Sequence, residues 1–440
     1  MLILWLVLSV VAIVLLTTKL KLHPFIALLL VALAYGFVAG MPTELIIASV
    51  NDGFGKTLGG IGLLIVLGVI IGAFMESSGA AYTIADWVLG KVGRNRVPQS
   101  MGLMGYFVSI PVYADSGFLL LQPLNKSLSK KAKISLSGSA IALALGLTAS
   151  HTMVPPTPGP IAAAGILEAD LGLVLAIGVP VSLFALFFAI LFALKYVARS
   201  YIDPNPQITE KQLALMHQSA PPLGLSALPI LLPISLILLR SLSQAMNWQG
   251  SVADLCNFLG TPFVALLIGV FLALLLPKKF NCEMLSGDGL IGKAVMNASS
   301  ILLITGAGGI FGKVLQNSGI ADLLGEVLSG VNIGIFLPFL LAAAIKSAQG
   351  SSTVALITTA SIIAPLSETL GFVDDLQKAM LVIAIGAGSA VVSHVNDSFF
   401  WVVTQMSGMD VKQGYRMHSL GTLVLGSSAI CGLFIIDMMV

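Results

Sequence analysis

Long apolar stretches separated by short polar ones run the length of the chain. A helix crossing a ~30 Å hydrocarbon layer needs roughly 20 mostly apolar residues. Candidate spans lie near Leu2–Thr17, Phe25–Ala39, Leu58–Met75, Leu171–Lys195, Leu223–Leu239, Pro262–Leu276, Ser299–Leu315 and Leu420–Met438. No small-residue cleavage site follows the first of these, which reads as a retained span rather than a secretory signal.

Four further apolar stretches, Gly102–Leu124, Ile141–Gly165, Phe336–Ala364 and Leu381–Gln405, are interrupted at their centres by polar or helix-breaking clusters. The clusters are Tyr-Ala-Asp-Ser-Gly (113–117), Ser-His-Thr-Met-Val-Pro-Pro-Thr-Pro-Gly-Pro (150–160), Ala-Gln-Gly-Ser-Ser-Thr (348–353) and Ser-His-Val-Asn-Asp-Ser (393–398). Broken backbone is tolerated at membrane depth only where protein buries it or where it lines a cavity. These breaks are therefore where a site is expected.

Composition narrows the class. The 440 residues are 57% hydrophobic and 10% charged, with a mean hydropathy of +1.00, against about 25% charged in soluble domains. A soluble protein is excluded. The net charge of +2 is too sparse for a nucleic-acid partner. Cys256, Cys282 and Cys431 are scattered singly, so neither a disulfide framework nor a metal cluster is expected. No P-loop lysine is present, which argues against ATP drive or an ATPase subunit, and Gly306-Ala307-Gly308-Gly309 lies inside a span rather than after a strand.

Self-comparison points to a repeat. An offset of 240 residues pairs Gly68 with Gly308, Gly72 with Gly312 and Ser78-Gly79 with Ser318-Gly319, while 243 pairs Ser150-His151 with Ser393-His394. The expected fold is thus an all-α polytopic membrane protein of two repeats, 1–199 and 223–440, joined by a polar linker at 200–222. If each half contains five crossings, one of them broken, plus a re-entrant hairpin, the odd number inverts the halves relative to each other. The basic residues then fall 17 on one side and four on the other (Lys56, Arg240, Lys313, Lys378), with Lys346 left inside the second hairpin. This positive-inside bias puts the linker in the cytoplasm and both termini outside. A topology in which every interrupted stretch crosses twice leaves most loops on the same sides. Inverted repeats with discontinuous helices point to a secondary transporter.

A broken helix offers unpaired N–H groups and a positive dipole end, which suit a carboxylate. Ser116, Thr152, Thr157, Gln349, Ser351, Ser352, Thr353, Asn396 and Ser398 add short polar side chains suited to hydroxyl groups, although such residues also satisfy broken backbone. His151 and His394 occupy matching places in the two halves and can carry protons. Asp115 and Asp397 are acidic residues inside broken segments, either proton-coupling groups or helix caps. Lys346 can balance an anionic substrate or pair with one of these aspartates. The four prolines from Pro155 to Pro160 shape the break rather than touch a ligand.

These motifs resemble those of the gluconate permease family of bacterial inner-membrane proton symporters. The resemblance rests on His151 with Pro155-Pro156-Thr157-Pro158-Gly159-Pro160, on Gln349-Gly350-Ser351-Ser352-Thr353-Val354-Ala355, on Ser393-His394-Val395-Asn396-Asp397-Ser398, and on Pro111 to Phe118. It spans essentially the whole chain. The resemblance implies uptake of gluconate or a similar small hydroxy acid such as glycerate, driven by the proton gradient without a cofactor, by a homodimer with two re-entrant hairpins. Two positions depart from the family pattern: Thr157 stands where members commonly carry His, and Lys346 where they carry Arg. Both lie in the expected site and bear on which acid is bound. A sodium-coupled organic-anion carrier is the alternative, since unwound carbonyls and Ser-rich tips can hold sodium. An intramembrane enzyme is disfavoured by the lack of a nucleophile–base pair.

Overall fold

The computed structural model describes residues 2–93, 96–205, 218, 220–246, 248–320, 334–395 and 397–439. Most of the linker (206–217) and Asn396 lie outside this set, as does the side chain of Gln349. Among the described residues every regular element is helical.

The first half contains α1 (Leu2–Thr18), α2 (Pro24–Val38), α3 (Thr43–Ser78), α4 (Ala80–Val92), α5 (Val97–Ser109), α6 (Ala114–Lys131), α7 (Leu136–Met153), α8 (Pro158–Ile166) and α9 (Leu171–Lys195). The second contains α10 (Leu223–Ala245), α11 (Ser251–Leu259), α12 (Pro262–Ala273), α13 (Leu290–Asn317), α14 (Phe336–Gln349), α15 (Ser352–Ile363), α16 (Asp375–Ser389), α17 (Ser398–Ser407), α18 (Val411–Gly414) and α19 (Leu420–Asp437). Four helical segments are long and apolar enough to cross a membrane, and up to six if each of two bent pairs counts as one span. The protein is thus an all-helical membrane protein with several apolar spans.

Some boundaries differ from the hydropathy reading. The stretch Leu58–Met75 is the second limb of the long α3, whose parts Thr43–Gly60 and Gly62–Ser78 meet at 43°. Hydropathy misses the first limb because Asn51, Asp52 and Lys56 dilute it. The span expected at Pro262–Leu276 is a short helix meeting α11 at 66°. The 113–117 break begins earlier, at Ile110–Tyr113, because Asp115 already belongs to the first turn of α6.

The breaks position the site. Gly350 ends α14 at φ +93°, a left-handed conformation that glycine adopts without strain. Two pairs of helices begin 240 residues apart, α8 at 158 with α17 at 398, and α9 at 171 with α18 at 411. Glycine makes the close packing possible. A Cβ added at Gly146 of α7 would lie 2.0 Å from the Gly102 carbonyl oxygen of α5, and one at Gly72 of α3 would lie 2.1 Å from that of Pro111 at the α5–α6 break. In α7 every residue except His151 is buried, so the helix is surrounded by protein on all its faces. This central helix carries Thr148 and His151 to the breaks.

Candidate functional site

A cavity of about 300 Å³ opens where the breaks meet, lined by residues of four segments. The α5–α6 break supplies Tyr113 and Asp115, and α7 supplies Thr148 and His151. The α14–α15 break supplies Gly350 to Thr353, and the start of α17 supplies Asp397 to Phe399.

Three helix N-termini therefore converge on one space: α6 (18 residues), α15 (12 residues) and α17 (10 residues). The first four N–H groups of a helix lack intrahelical partners, and each N-terminus carries about half a positive charge. Some of these donors are already used. Ser351 Oγ accepts from Val354 N at 3.3 Å, and Asp397 Oδ1 accepts from Phe399 N at 3.0 Å. Ser352 and Thr353 at the start of α15, and Ala114 and Asp115 at the start of α6, border the cavity.

Two aspartates reach this space in different states of engagement. Asp397 is 7% exposed, and its Oδ2 lies 2.6 Å from Lys346 Nζ and accepts from Ser393 Oγ at 2.5 Å. Lys346 is itself 1% exposed and also donates to the Gly350 carbonyl, tying the tip of α14 to the start of α17. Asp115 has no such anchor among the described residues: its Oδ1 is buried without a hydrogen-bond partner. Tyr113 OH and His151 Nδ1 are also buried and unpartnered beside it, the two rings 6.1 Å apart. Buried polar atoms are normally paired. Three unpaired ones around a single cavity mark a place built for a polar ligand.

The structure sorts the expected site residues. Asp115, His151, Ser351, Ser352, Thr353, Asp397 and Ser398 border the cavity together. Lys346 stands behind Asp397 rather than on the wall. Thr152 and Thr157 turn their hydroxyls onto backbone carbonyls, Thr152 to Thr148 O at 3.0 Å and Thr157 to Val154 O at 2.7 Å. Ser116 is directed to the Glu76 side chain and is not among the residues that line the cavity. His394 is directed away, with Nε2 2.7 Å from the Ser347 carbonyl and its ring stacked on Tyr415 at 6.3 Å. The match of His151 and His394 in sequence is therefore not a match in surroundings.

Sequence reasoning passed over Tyr113, Thr148, Ser393 and His418. Tyr113 was visible as the polar start of its cluster, and Thr148 as the residue one helical turn before His151. Ser393 opens the 393–398 cluster and matches Ser150 in the repeat, whereas nothing local marks His418, because only the tertiary fold joins it to Ser393. Among the described residues no three His, Cys, Asp or Glu side chains are grouped to hold a metal ion.

A second recess of about 660 Å³ lies between α3, α13 and the C-terminal ends of α8 and α15. It carries Lys56, Lys313 and Lys378 together with Asp52, Glu168 and Glu368.

Comparison with known proteins agrees with this architecture. The chain is similar over nearly its whole length to the gluconate permease of Pseudomonas aeruginosa, with 35% identity covering 93% of this chain and 91% of that protein. It is 33% identical to the inner membrane permease YgbN of Escherichia coli, covering 95% of this chain and 94% of that one. It is also 33% identical to the D-serine transporter DsdX of the same species, covering 99% and 98%. Its fold resembles the YdaH transporter of Alcanivorax borkumensis, with a TM-score of 0.66 over 95% of this chain and 99% of that one at 14% identity. The model of the GntP family permeases matches residues 1–439, so the chain belongs to the GntP family and is a transporter rather than an enzyme.

Proposed function

We propose that this permease imports a small hydroxy acid, gluconate or a related acid such as glycerate, by proton symport. The observation that carries the reading is the cavity in which three helix N-termini meet the unpaired Asp115, His151 and Tyr113. The substrate carboxylate sits against the helix ends, and Ser352, Thr353 and Ser398 face its hydroxyl groups. Lys346 neutralises Asp397, so Asp115 is the unbalanced charge. Two like charges about 5 Å apart at an effective dielectric near 20 repel by about 3 kcal/mol. A monoanion therefore binds far better when Asp115 holds a proton, and this mutual dependence is the coupling. One proton with one monoanion is electroneutral, so the pH gradient drives uptake and the membrane potential adds nothing.

The test uses purified protein in sodium-free liposomes with an inward pH gradient, following radiolabelled gluconate, glycerate and D-serine with and without a protonophore. Accumulation of an acid that collapses with the protonophore is expected. Asp115→Asn is expected to keep exchange of the same acid across the membrane while losing gradient-driven accumulation. Accumulation that needs sodium, or an Asp115→Asn variant that still follows the pH gradient, would overturn the reading.

The topology belongs to the same proposal. Residues 1–199 and 223–440 form two inverted repeats around a cytoplasmic linker at 200–222, with both termini outside, in the bacterial inner membrane and as a homodimer. The 240-residue spacing of helix starts supports the repeat, and the location follows the relative YgbN. In this orientation the lysine-bearing recess faces outside. Cys282, exposed and close to Lys278 and Lys279, then lies in the cytoplasm. In a protein with Cys256 and Cys431 changed to Ser, an impermeant maleimide is expected to label Cys282 only in inside-out vesicles. Labelling in right-side-out vesicles would reverse the orientation.

A further inference from the structure

Behind Asp397 the cavity wall continues into a chain of buried side chains that the uptake reading leaves unused. Ser393 Oγ, which donates to Asp397 Oδ2 at 2.5 Å, also lies 3.1 Å from Nε2 of His418. Ser393 is 3% exposed and His418 fully buried. The second imidazole nitrogen, Nδ1, is buried and has no hydrogen-bond partner. A histidine retained only to hold Ser393 would use one nitrogen and satisfy the other, because an unpartnered buried polar atom is costly.

The backbone here is unusual in two places. His418 stands in a π-helical turn, Tyr415–Ser419, set between α18 and α19. Such a turn inserts an extra residue and rotates the side chains beyond it by about 100°, and it is found mostly at functional sites. Val392, immediately before Ser393, takes φ +49°, a conformation that β-branched residues rarely adopt. Ser393 is then fixed by its main chain: its N–H donates to Thr422 Oγ1 at 3.0 Å, and its carbonyl accepts from Ser419 Oγ. The helix that presents His418 thus also clamps its partner. The rings of Phe399 and Phe400 stand 5.6 Å and 6.1 Å from the imidazole and separate it from the cavity.

We propose that Asp397, Ser393 and His418 form a proton relay leading from the substrate cavity toward the inner side of the membrane, with His418 as its inner end. The inference rests on the proton-symport reading. Once substrate has left, the coupled proton on Asp115 crosses the cavity that both aspartates border to Asp397 Oδ2. With His418 in its Nδ1–H tautomer, it passes on to Ser393 Oγ while the hydroxyl's own proton passes to His418 Nε2. The imidazolium then releases its Nδ1 proton to water on the inner side. Asp115 loses one proton and the water gains one; Asp397 and Ser393 return to their starting forms, and His418 is left as the Nε2–H tautomer. A ring flip, or the same chain run in reverse, resets the tautomer.

Of the titratable groups around this chain, Asp115 shares the cavity wall with Asp397, and His394, next to Ser393, stacks on Tyr415 of the π-turn. Lys346 holds the far side of Asp397. Of the elements packed on the π-turn, α7 carries only His151, at its cavity end, and α17 has no charged side chain. Lys412 lies on α18, Cys431 and Asp437 lie far along α19, and Tyr415 and Arg416 share the turn itself.

The test compares exchange with gradient-driven accumulation for His418→Gln and Ser393→Ala in proteoliposomes, using whichever of radiolabelled gluconate, glycerate or D-serine the unaltered protein exchanges. Glutamine keeps a donor for Ser393 but cannot carry a proton. His418→Gln is expected to leave exchange within about twofold while accumulation falls at least roughly tenfold and its pH profile flattens. Ser393→Ala, which cuts the chain at its middle but also strips a donor from Asp397, is expected to lower accumulation by more than it lowers exchange. Normal accumulation in both variants would make His418 a structural donor and sink the relay, as would equal loss of exchange and accumulation in both. Failure of the unaltered protein to accumulate any of the three along the pH gradient would instead overturn the symport reading beneath it.

Discussion

Replacing Lys346 with alanine is expected to abolish uptake and to lower stability by about 3–5 kcal/mol, the cost of removing one partner from a buried ion pair. The loss exceeds a missing contact. Asp397 would keep its hydrogen bonds from Ser393 and Phe399 N but would be left as an unbalanced charge at 7% exposure. The tip of α14 would also lose the donor that now holds the Gly350 carbonyl. Restoring charge balance should recover stability without recovering function. The Lys346→Ala, Asp397→Ala double variant is therefore expected to unfold later than Lys346→Ala alone, giving a coupling energy well away from zero in a double-mutant cycle, while uptake stays absent. Lys346→Arg keeps the charge, but its planar fork needs more room than an ammonium. It is expected to keep the fold and to change the relative rates for the three test substrates. Thermal midpoints in detergent and uptake in liposomes check both parts. A Lys346→Ala protein as stable and as active as its parent would show that the pair does not organise the site.

Much of the candidate site is legible in the sequence. Each of the four interrupted stretches becomes a helix break, and Asp115, His151, Ser351 to Thr353, Asp397 and Ser398, drawn from all four clusters, border one cavity. The reason is that a break is written locally. Proline runs, glycine at a left-handed position and N-capping Ser or Asp announce themselves without any long-range contact. The direction of a side chain is not written locally. Thr152 and Thr157 carry the same hydroxyl as Thr353, yet theirs close on backbone carbonyls. His394 matches His151 in register but faces Ser347 and Tyr415. The Lys346–Asp397 pairing was among the alternatives that charge alone allowed, and only the fold brings residues 51 apart to 2.6 Å. His418 was beyond reach altogether, since its meaning depends on a π-turn and on a serine 25 positions away. For the helices, hydropathy found apolar limbs but not polar ones. This is why α3 is twice the length its apolar stretch suggests, with Asp52 and Lys56 lining the second recess.

A carboxylate added at the start of α15 should separate folding from binding. Ser352→Asp is expected to leave the protein folded, because an acidic group in the first turn of a helix is favourable by about 0.3–1 kcal/mol. Ser352 also lines the cavity, where the same charge meets the incoming anion. Repulsion of about 3 kcal/mol at roughly 5 Å corresponds to an increase on the order of a hundredfold in the concentration needed for half-maximal uptake. Ser352→Ala removes at most one hydrogen bond, about 1 kcal/mol, and costs roughly fivefold. Most residues lining the site are buried or half-buried, so added salt should recover less of the affinity lost in Ser352→Asp than it would for a charge placed on an open surface. The kind of substrate sharpens the test. A pure anion such as gluconate feels the whole repulsion, whereas the ammonium of zwitterionic D-serine offsets part of it. Ser352→Asp should therefore shift preference toward D-serine even as both substrates weaken. Equal weakening of the two would place the substrate carboxylate away from α15, and unchanged affinity for gluconate would remove the converging helix ends from the binding site.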